Sequence, residues 1–338
     1  MTALERALGV SRVARVTGLD RAGVEVACAV RPLGHVLQVA NGKGLSWKEA
    51  RATALSEAAE LWAAERVDAR ELLFGSAREL GASLGDDELV APRLLTMDTR
   101  IAWRRGRELA SGREVLVPAQ AVHCPPRGAP PLGPAAIRWT TNGMGAHPGR
   151  EEAIRHALLE LRERDQLARA LPQGWTPHAI RTRKLEAGEL GLWQQLRDAR
   201  LLAHLFDLSG ELPVVGAILF DLDEGPVPVT AGYACGETPS EAAMGALLEA
   251  AQSRLTEVHG AREDVAQSRP AQRGLREACE AALPSRKLSQ LPSARLPSSH
   301  TISGRRIAPA GAVVIELAAK PLYVVKVRAP GMRVSELL

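Results

Sequence analysis

Three stretches of the chain, EARATALSEAAE (49–60), EAIRHALLELRE (152–163) and EAAMGALLEAAQ (241–252), carry one pattern. Each reads Glu-Ala, three residues, Ala-Leu, one residue, Glu, two residues, then Glu or Gln. If the copies converge, Glu57, Glu60, Glu160 and Glu163 bring four carboxylates together, and Glu249 and Gln252 extend the same site. Two such carboxylates about 5 Å apart repel by about 3 kcal/mol at an effective dielectric near 20. A cluster of this kind needs cations or raised pKa values. Hard oxygen ligands without His or Cys partners suit Mg²⁺ rather than zinc, and Mg²⁺ in turn favours a polyphosphate.

The elements that must position these groups are helices. At about 100° per residue, positions i, i+8 and i+11 fall at about 0°, 80° and 20°, on one face. The shared Leu55, Leu158 and Leu247 then lie on the far side and make the core contact, and the shared Ala54, Ala157 and Ala246 keep a flank slim. Each helix follows a glycine-containing stretch (Gly42/Gly44, Gly143/Gly145, Gly232/Gly236), read as a turn whose N–H groups could seat phosphate. A solvated acidic face accounts for any single copy. It does not account for three copies in one register, because solvation is indifferent to spacing. Lys43, Arg164, Arg254 and Arg262 are the candidate phosphate-binding cations near the pattern. No Walker motif and no GxGxxG opening a βαβ unit is present, so ATP binding would follow another scheme.

Strands are expected at 24–31, 35–40, 114–123, 201–207, 213–221, 313–318 and 322–329, and helices at about 47–66, 150–170, 188–199 and 239–258. The Pro-, Ser- and Arg-rich stretch 266–310 reads as a partly mobile surface excursion with a helical patch near 272–282. Interleaved strands and long helices indicate a mixed α/β architecture with more than one sheet-and-helix unit. With 338 residues, 46% of them hydrophobic, the chain can bury a large core. A net charge of only +4 with scattered Arg and Lys argues against nucleic-acid binding as the main function. No apolar run is long enough for a membrane span, and the opening residues lack a signal-like apolar core, so a cytoplasmic location is expected. Cys28, Cys124, Cys235 and Cys279 form no CxxC pair, which argues against zinc and a disulfide framework. Cys28 and Cys279 read as small buried hydrophobes, and His123 and His204 as structural.

The segments QVANGKGLSWKEARATALSEAAELWAAE, TTNGMGAHPGREEAIRHALLELRERD and GETPSEAAMGALLEAAQSRLTEVHGAREDV together resemble the three ATP-site segments of the YcaO family. GVSRVARVTGLDRAGVEVACAVRP and PLYVVKVRAPGM are similar to the beginning and end of YcaO domains of the branch often encoded beside TfuA-like partners. The resemblance implies a single YcaO domain over 1–338, with repeated sheet-and-helix units around a central ATP site. It implies ATP-dependent activation of a peptide or protein backbone amide. A nucleophile adds to the carbonyl, the oxyanion takes the γ-phosphoryl group, and phosphate leaves. A neighbouring Cys, Ser or Thr then yields an azoline, and external sulfide a thioamide.

The resemblance assigns Mg²⁺ to Glu57, Glu60, Glu160 and Glu163 and nucleotide contacts to Glu152 and Arg164, sets Arg12 where it can reach the nucleotide, and offers Glu249, Gln252, Arg254 and Arg262 from the third segment, beside Lys43 read from the first glycine stretch. It leaves the general base unassigned. Two departures matter. NGMGAHPG replaces the family's NGxAxGNT, with Pro148 where Asn is usual, and VRAPGMRVSELL carries no PxPxP tail, which favours the thioamide over the azoline. The expected partners are a peptide or protein substrate, a TfuA-like sulfur-delivery or leader-binding protein, and a second copy of the chain in a homodimer. Two other readings stand beside the thioamide enzyme: an azoline-forming cyclodehydratase, and a non-catalytic subunit that binds nucleotide or peptide.

Overall fold

A computed structural model of the chain describes residues 1–85, 89–170, 178–180, 185, 187–262, 272–281, 284–292 and 307–333. In chain order the elements are α1 (Ala3–Leu8), β1 (Arg12–Arg15), β2 (Glu25–Val30), β3 (Val39–Gly44), α2 (Trp47–Glu65), β4 (Leu72–Ser76) and α3 (Ala77–Leu80). Next come β5 (Arg100–Glu108), β6 (Glu114–Pro118), β7 (Met144–His147), α4 (Arg150–Ala170), β8 (His178–Ile180) and α5 (Ala187–Asp198). The chain continues through β9 (Leu201–Asp207), β10 (Val214–Asp221), β11 (Val229–Cys235), α6 (Pro239–His259) and α7 (Gln272–Ala281). It closes with β12 (Pro284–Arg286), β13 (Val313–Ala318) and β14 (Tyr323–Arg328).

The strands form three sheets. The first runs β1-β2-β3, the second β4-β5-β13-β14-β7 with β6 also on β5, and the third β11-β10-β9-β8-β12. All pairs are antiparallel except β8 with β12. Each sheet ends in an edge strand, β3, β7 or β11, that leads directly into one of the patterned helices. Helix α2 lies on β2 and β3 and touches β7; α4 lies on β7 and β14 and touches β11; α6 lies on β10 and β11 and touches β3. The contacts therefore close a ring of three strand–helix units, and the mixed α/β architecture with repeated units follows the expectation.

Local chemistry explains where the helices begin. The Ser46 hydroxyl accepts the Glu49 N–H before α2, and the Thr238 hydroxyl accepts the Glu241 N–H before α6. Pro239 supplies the first residue of α6, and Gly260 ends that helix at a positive φ. Leu55, Leu158 and Leu247 are buried in the cores under their helices, as the pattern requires.

The glycine stretches, however, are mostly strand; Gly143 sits in a turn at a positive φ, but that turn leads into β7 rather than into the helix. Gly42 and Gly44 lie on β3, Gly145 on β7 and Gly232 on β11. They replace side chains where the strand meets its helix. A methyl group on Gly42 would lie 2.1 Å from Ala54 N and 2.2 Å from Ala50 O. One on Gly145 would lie 2.2 Å from Ala153 O, and one on Gly232 2.1 Å from Ala250 N and 2.6 Å from Ala246 O. The repeated Gly and Ala are the two halves of one close contact. At the starts of α2 and α6 the expected phosphate seat is taken, since Ser46 and Glu49, and Thr238 and Glu241, already accept local N–H groups.

Smaller differences have simple causes. The second strand starts at Val39 rather than 35, because the His35 and Val36 N–H groups donate to the Glu65 carboxylate instead of to a sheet. The strand expected at 114–123 stops at Pro118 and passes into a short 3₁₀ turn. The helical patch in the excursion is present at Gln272–Ala281, while much of 266–310 lies outside the described residues.

The close contacts predict opposite outcomes for two glycines. Gly42→Ala forces a methyl into backbone atoms and is expected to destabilise the protein by about 1–3 kcal/mol or more. Gly191→Ala, inside α5 with nothing within 4 Å, is expected to stabilise by about 0.5–1 kcal/mol. Denaturant unfolding of both variants checks this.

Candidate functional site

The glutamates of the repeated pattern meet the inward-turned edges of the three sheets. The Asn41 N–H of β3 donates to Glu57 Oε2 at 2.9 Å. The Ala146 N–H of β7 donates to the buried Glu60. On β11 the Tyr233 N–H donates to Glu249 Oε1 at 3.4 Å and the Cys235 N–H to Glu163 Oε2 at 3.2 Å. Glu60 and Glu163 reach the edge strand of the neighbouring unit, whereas Glu57 and Glu249 bind the strand that precedes their own helix.

Cations sit on the remaining oxygens. Lys43 Nζ lies 2.5 Å from Glu249 Oε2, joining the first and third units. Arg262 Nη1 lies 3.4 Å from Glu57 Oε1, and Arg164 lies 3.9 Å from both Glu160 Oε1 and Glu163 Oε1. Gln252 is half-buried on the same face of α6 as Glu249 and Thr256. The Thr256 hydroxyl accepts a hydrogen bond from the Asn41 side chain at 2.9 Å. The electrostatic links close the group: Glu160 feels both Glu57 and Glu249, and Glu163 feels Glu249 and Lys43. The structure thus brings Glu57, Glu60, Glu160, Glu163, Glu249, Lys43, Arg164 and Arg262 into one site, with Gln252 beside them.

Three candidates go elsewhere. Arg254 is turned away and only 4% exposed; its guanidinium holds Asp20 at 3.1 Å and Asp221 at 3.0 Å and donates to the Val227 carbonyl. Five residues beyond Glu249 is about 140° round the helix, so both side chains cannot face the same cleft. Arg254 therefore locks α6 to the third sheet and is corrected from binder to structural residue. Arg12 is exposed on β1, the outer edge of the first sheet, and forms no ion pair among the described residues. Glu152 is exposed in the first turn of α4, its carboxylate folded against Gly149, two turns from Glu160.

Sequence reasoning missed Lys326. It is fully buried on β14, donates to the Thr140 carbonyl, and lies 5.3 Å from the Trp139 ring centroid. Its charge helps to keep Glu160 ionised. The signal was a lysine embedded in the apolar run YVVKV, which reads as an ordinary strand unless both faces are known to be covered. His156 was also missed. It lies one turn before Glu160 on α4, part of it open to solvent, and crowding by the surrounding protein together with Lys43, Arg155 and His147 holds its pKa below the ordinary value.

The donor set fits a magnesium–polyphosphate ligand. Every glutamate offers oxygen, and Arg164 Nε is buried without a hydrogen-bond partner among the described residues. Among those residues, no three carboxylate, imidazole or thiolate groups already form a metal cage. Mg²⁺ does not need one, since it takes one or two carboxylates, keeps waters and shares substrate phosphates.

Burial pushes the Glu160 carboxyl up to about 7, although Arg164 and Lys326 oppose the shift. Burial and Glu249 push Glu163 up to about 8, and burial with Glu160 and Glu57 holds Glu60 well above the usual range. An unfolded chain releases these protons near 4.5. Between that value and about 8 the metal-free fold binds more protons than the unfolded chain. These groups therefore contribute stability that is fully present below about 4.5 and is lost as pH rises through the window. Thermal melts in EDTA from about pH 5 to about pH 8.5 should show this decline, and Glu160→Gln should reduce its slope.

The comparisons agree with the geometry. Residues 41–333 match the family model described as YcaO cyclodehydratase, ATP- and Mg²⁺-binding. An uncharacterized protein of Methanothermobacter thermautotrophicus is 34% identical over 274 residues, covering 76% of this chain and 68% of its own length. A protein of Rhizobium leguminosarum bv. trifolii, described by its place in the tfuA 3′ region, is 31% identical over 277 residues, covering 77% of this chain and 65% of the relative. The chain thus spans about two thirds of the length of these relatives. Its fold is similar to that of YcaO from Methanopyrus kandleri bound with AMPPCP and Mg²⁺, with a TM-score of 0.74 at 22% identity, covering 97% of this chain and 87% of that one. The chain belongs to the YcaO family.

Proposed function

We infer that this protein is an ATP- and Mg²⁺-dependent enzyme that activates a backbone amide of a peptide or protein, and that it installs a thioamide with sulfur delivered by a TfuA-like partner. The observation that carries this reading is the convergence of the acidic faces of α2, α4 and α6, with their resident cations, on the inward edges of three sheets. In this reading Glu57, Glu60, Glu160 and Glu163 hold Mg²⁺, which neutralises phosphate charge when bound. Lys43, Arg164 and Arg262 face the phosphates, and Glu249 and Gln252 complete the wall. To reach the nucleotide, Glu152 would have to turn its carboxylate away from Gly149, and Arg12 would need a movement of β1.

Phosphoryl transfer needs positioning and charge neutralisation more than a protein nucleophile, and this site supplies both. Hydrosulfide would add to the amide carbonyl carbon, and the carbonyl oxygen would take the γ-phosphoryl group and depart as phosphate. The thioamide is favoured by the relative encoded in a tfuA region. The second reading, azoline formation on Cys, Ser or Thr, is favoured by the family's description as cyclodehydratases. A homodimer and a single domain spanning 1–338 belong to the same proposal.

Mass spectrometry separates the readings. Peptides incubated with protein, ATP, Mg²⁺ and hydrosulfide, with and without a TfuA-like protein, should exchange one oxygen for sulfur; loss of water instead would indicate the azoline. Glu160→Ala should abolish substrate-dependent ATP hydrolysis while the protein still melts cooperatively. A non-catalytic subunit would show neither mass change nor any sensitivity of ATP hydrolysis to this substitution.

A further inference from the structure

Three of the clustered glutamates bind in the same way. Glu57 accepts the Asn41 N–H on Oε2 and faces Arg262 with Oε1. Glu249 accepts the Tyr233 N–H on Oε1 and faces Lys43 with Oε2. Glu163 accepts the Cys235 N–H on Oε2 and faces Arg164 with Oε1. One oxygen of each carboxylate already accepts from a sheet edge, and the other, with more lone-pair capacity left for a metal, is the one that faces a cation.

The three cations are not equivalent. Arg164 belongs to α4 itself, follows Glu163 directly and stands 3.9 Å from two carboxylates without a close contact to either. Lys43 and Arg262 come from other elements and lie closer to their acids, at 2.5 and 3.4 Å. Their side chains are 26% and 25% exposed, so both have solvent beside them; Arg164 is similarly exposed at 28% and differs in its element and in its distance from the acids. A Mg²⁺ ion binds carboxylate oxygen at about 2.0–2.1 Å, and an ammonium or guanidinium group cannot remain on the same oxygen at that distance.

We propose that Lys43 and Arg262 are placeholder cations, which cover the cleft-side oxygens of Glu249 and Glu57 until a divalent metal arrives with a nucleotide and then move onto its phosphate oxygens. A metal alone would have to compete with Arg262 for Glu57 and would repel Lys43 on the neighbouring Glu249, without bringing phosphate oxygens for either cation. A nucleotide alone would draw the cations away and leave the carboxylates facing one another. Metal and nucleotide together supply each displaced group with a partner. The two ligands therefore bind with strong positive coupling, and by linkage each raises the affinity for the other by the same factor. This inference rests on the ATP–Mg²⁺ reading of the site and adds what the chain's own cations do when that site fills.

The test measures Mn²⁺ binding by the decrease of the free-ion electron paramagnetic resonance signal, with and without AMPPCP. Wild-type protein, Lys43→Met, Arg262→Met and the exposed control Lys48→Met are compared after circular dichroism confirms that each is folded. Wild-type protein should bind Mn²⁺ at least about tenfold more tightly with AMPPCP present. Lys43→Met and Arg262→Met should bind Mn²⁺ more tightly than wild type without nucleotide, bind AMPPCP more weakly, and lose most of the coupling. Lys48→Met should behave as wild type. Equal Mn²⁺ affinity in wild type with and without AMPPCP overturns the proposal. So do unaltered metal affinities in both site variants, or the same gain in Lys48→Met, which would show that net charge alone is responsible. Failure of the wild-type protein to bind AMPPCP in the presence of Mg²⁺ removes the nucleotide reading itself, whereas normal binding with unaltered metal affinities removes only the placeholder role.

Discussion

The structure depends on one kind of bond, the glutamate carboxylate that closes the outward N–H of an inward-turned sheet edge. An edge strand carries a row of unpaired donors, and burying one without a partner costs about 1–3 kcal/mol. Most folds turn such edges to solvent or cover them with more strand. Here β3, β7 and β11 all point toward the centre, where Asn41, Ala146, Tyr233 and Cys235 donate to Glu57, Glu60, Glu249 and Glu163. The same bonds that end the sheets fix the direction of the acids. In the proposed reading, structural need and ligand chemistry fall on the same residues.

That arrangement requires the helices to lie unusually close to their strands. The Gly–Ala contacts provide the closeness, since Gly42, Gly145 and Gly232 leave no Cβ between strand and helix backbone. With the helix pressed down at that point, a glutamate further along its length can reach the strand edge. A bulkier residue at either side of the contact would lift the helix and pull the carboxylates off their donors. The core leucines on the opposite flank hold the helices against their sheets.

The electrostatic cost of gathering acids is met in layers. Edge N–H groups stabilise the charged form, Arg164 and Lys326 offset part of the desolvation of Glu160, and Lys43 and Arg262 cover the oxygens that face the cleft. What remains shows in the elevated carboxyl groups of Glu60, Glu160 and Glu163. In the proposed reading, a bound metal would supply the positive charge that lowers these carboxyl groups again.

The sequence raised the convergence of Glu57, Glu60, Glu160, Glu163, Glu249, Lys43 and Arg262 as an expectation, and by itself determined the three helices, their acidic faces and the buried leucines. Those features are periodic, and a period of 3.6 residues is a local property of the chain. Only the tertiary structure decided what the glycines do, because a strand and a turn built from the same residues differ in what lies across from them. It alone turned Arg254 toward Asp20, 234 positions away, and placed Lys43 on Glu249, 206 positions away. It alone buried Lys326 beneath the acids, since no pattern within YVVKV records which side chains will cover its two faces. Such pairings arise when separate sheets close into a ring, and that closure is set by packing between elements rather than by the order of residues within any one of them.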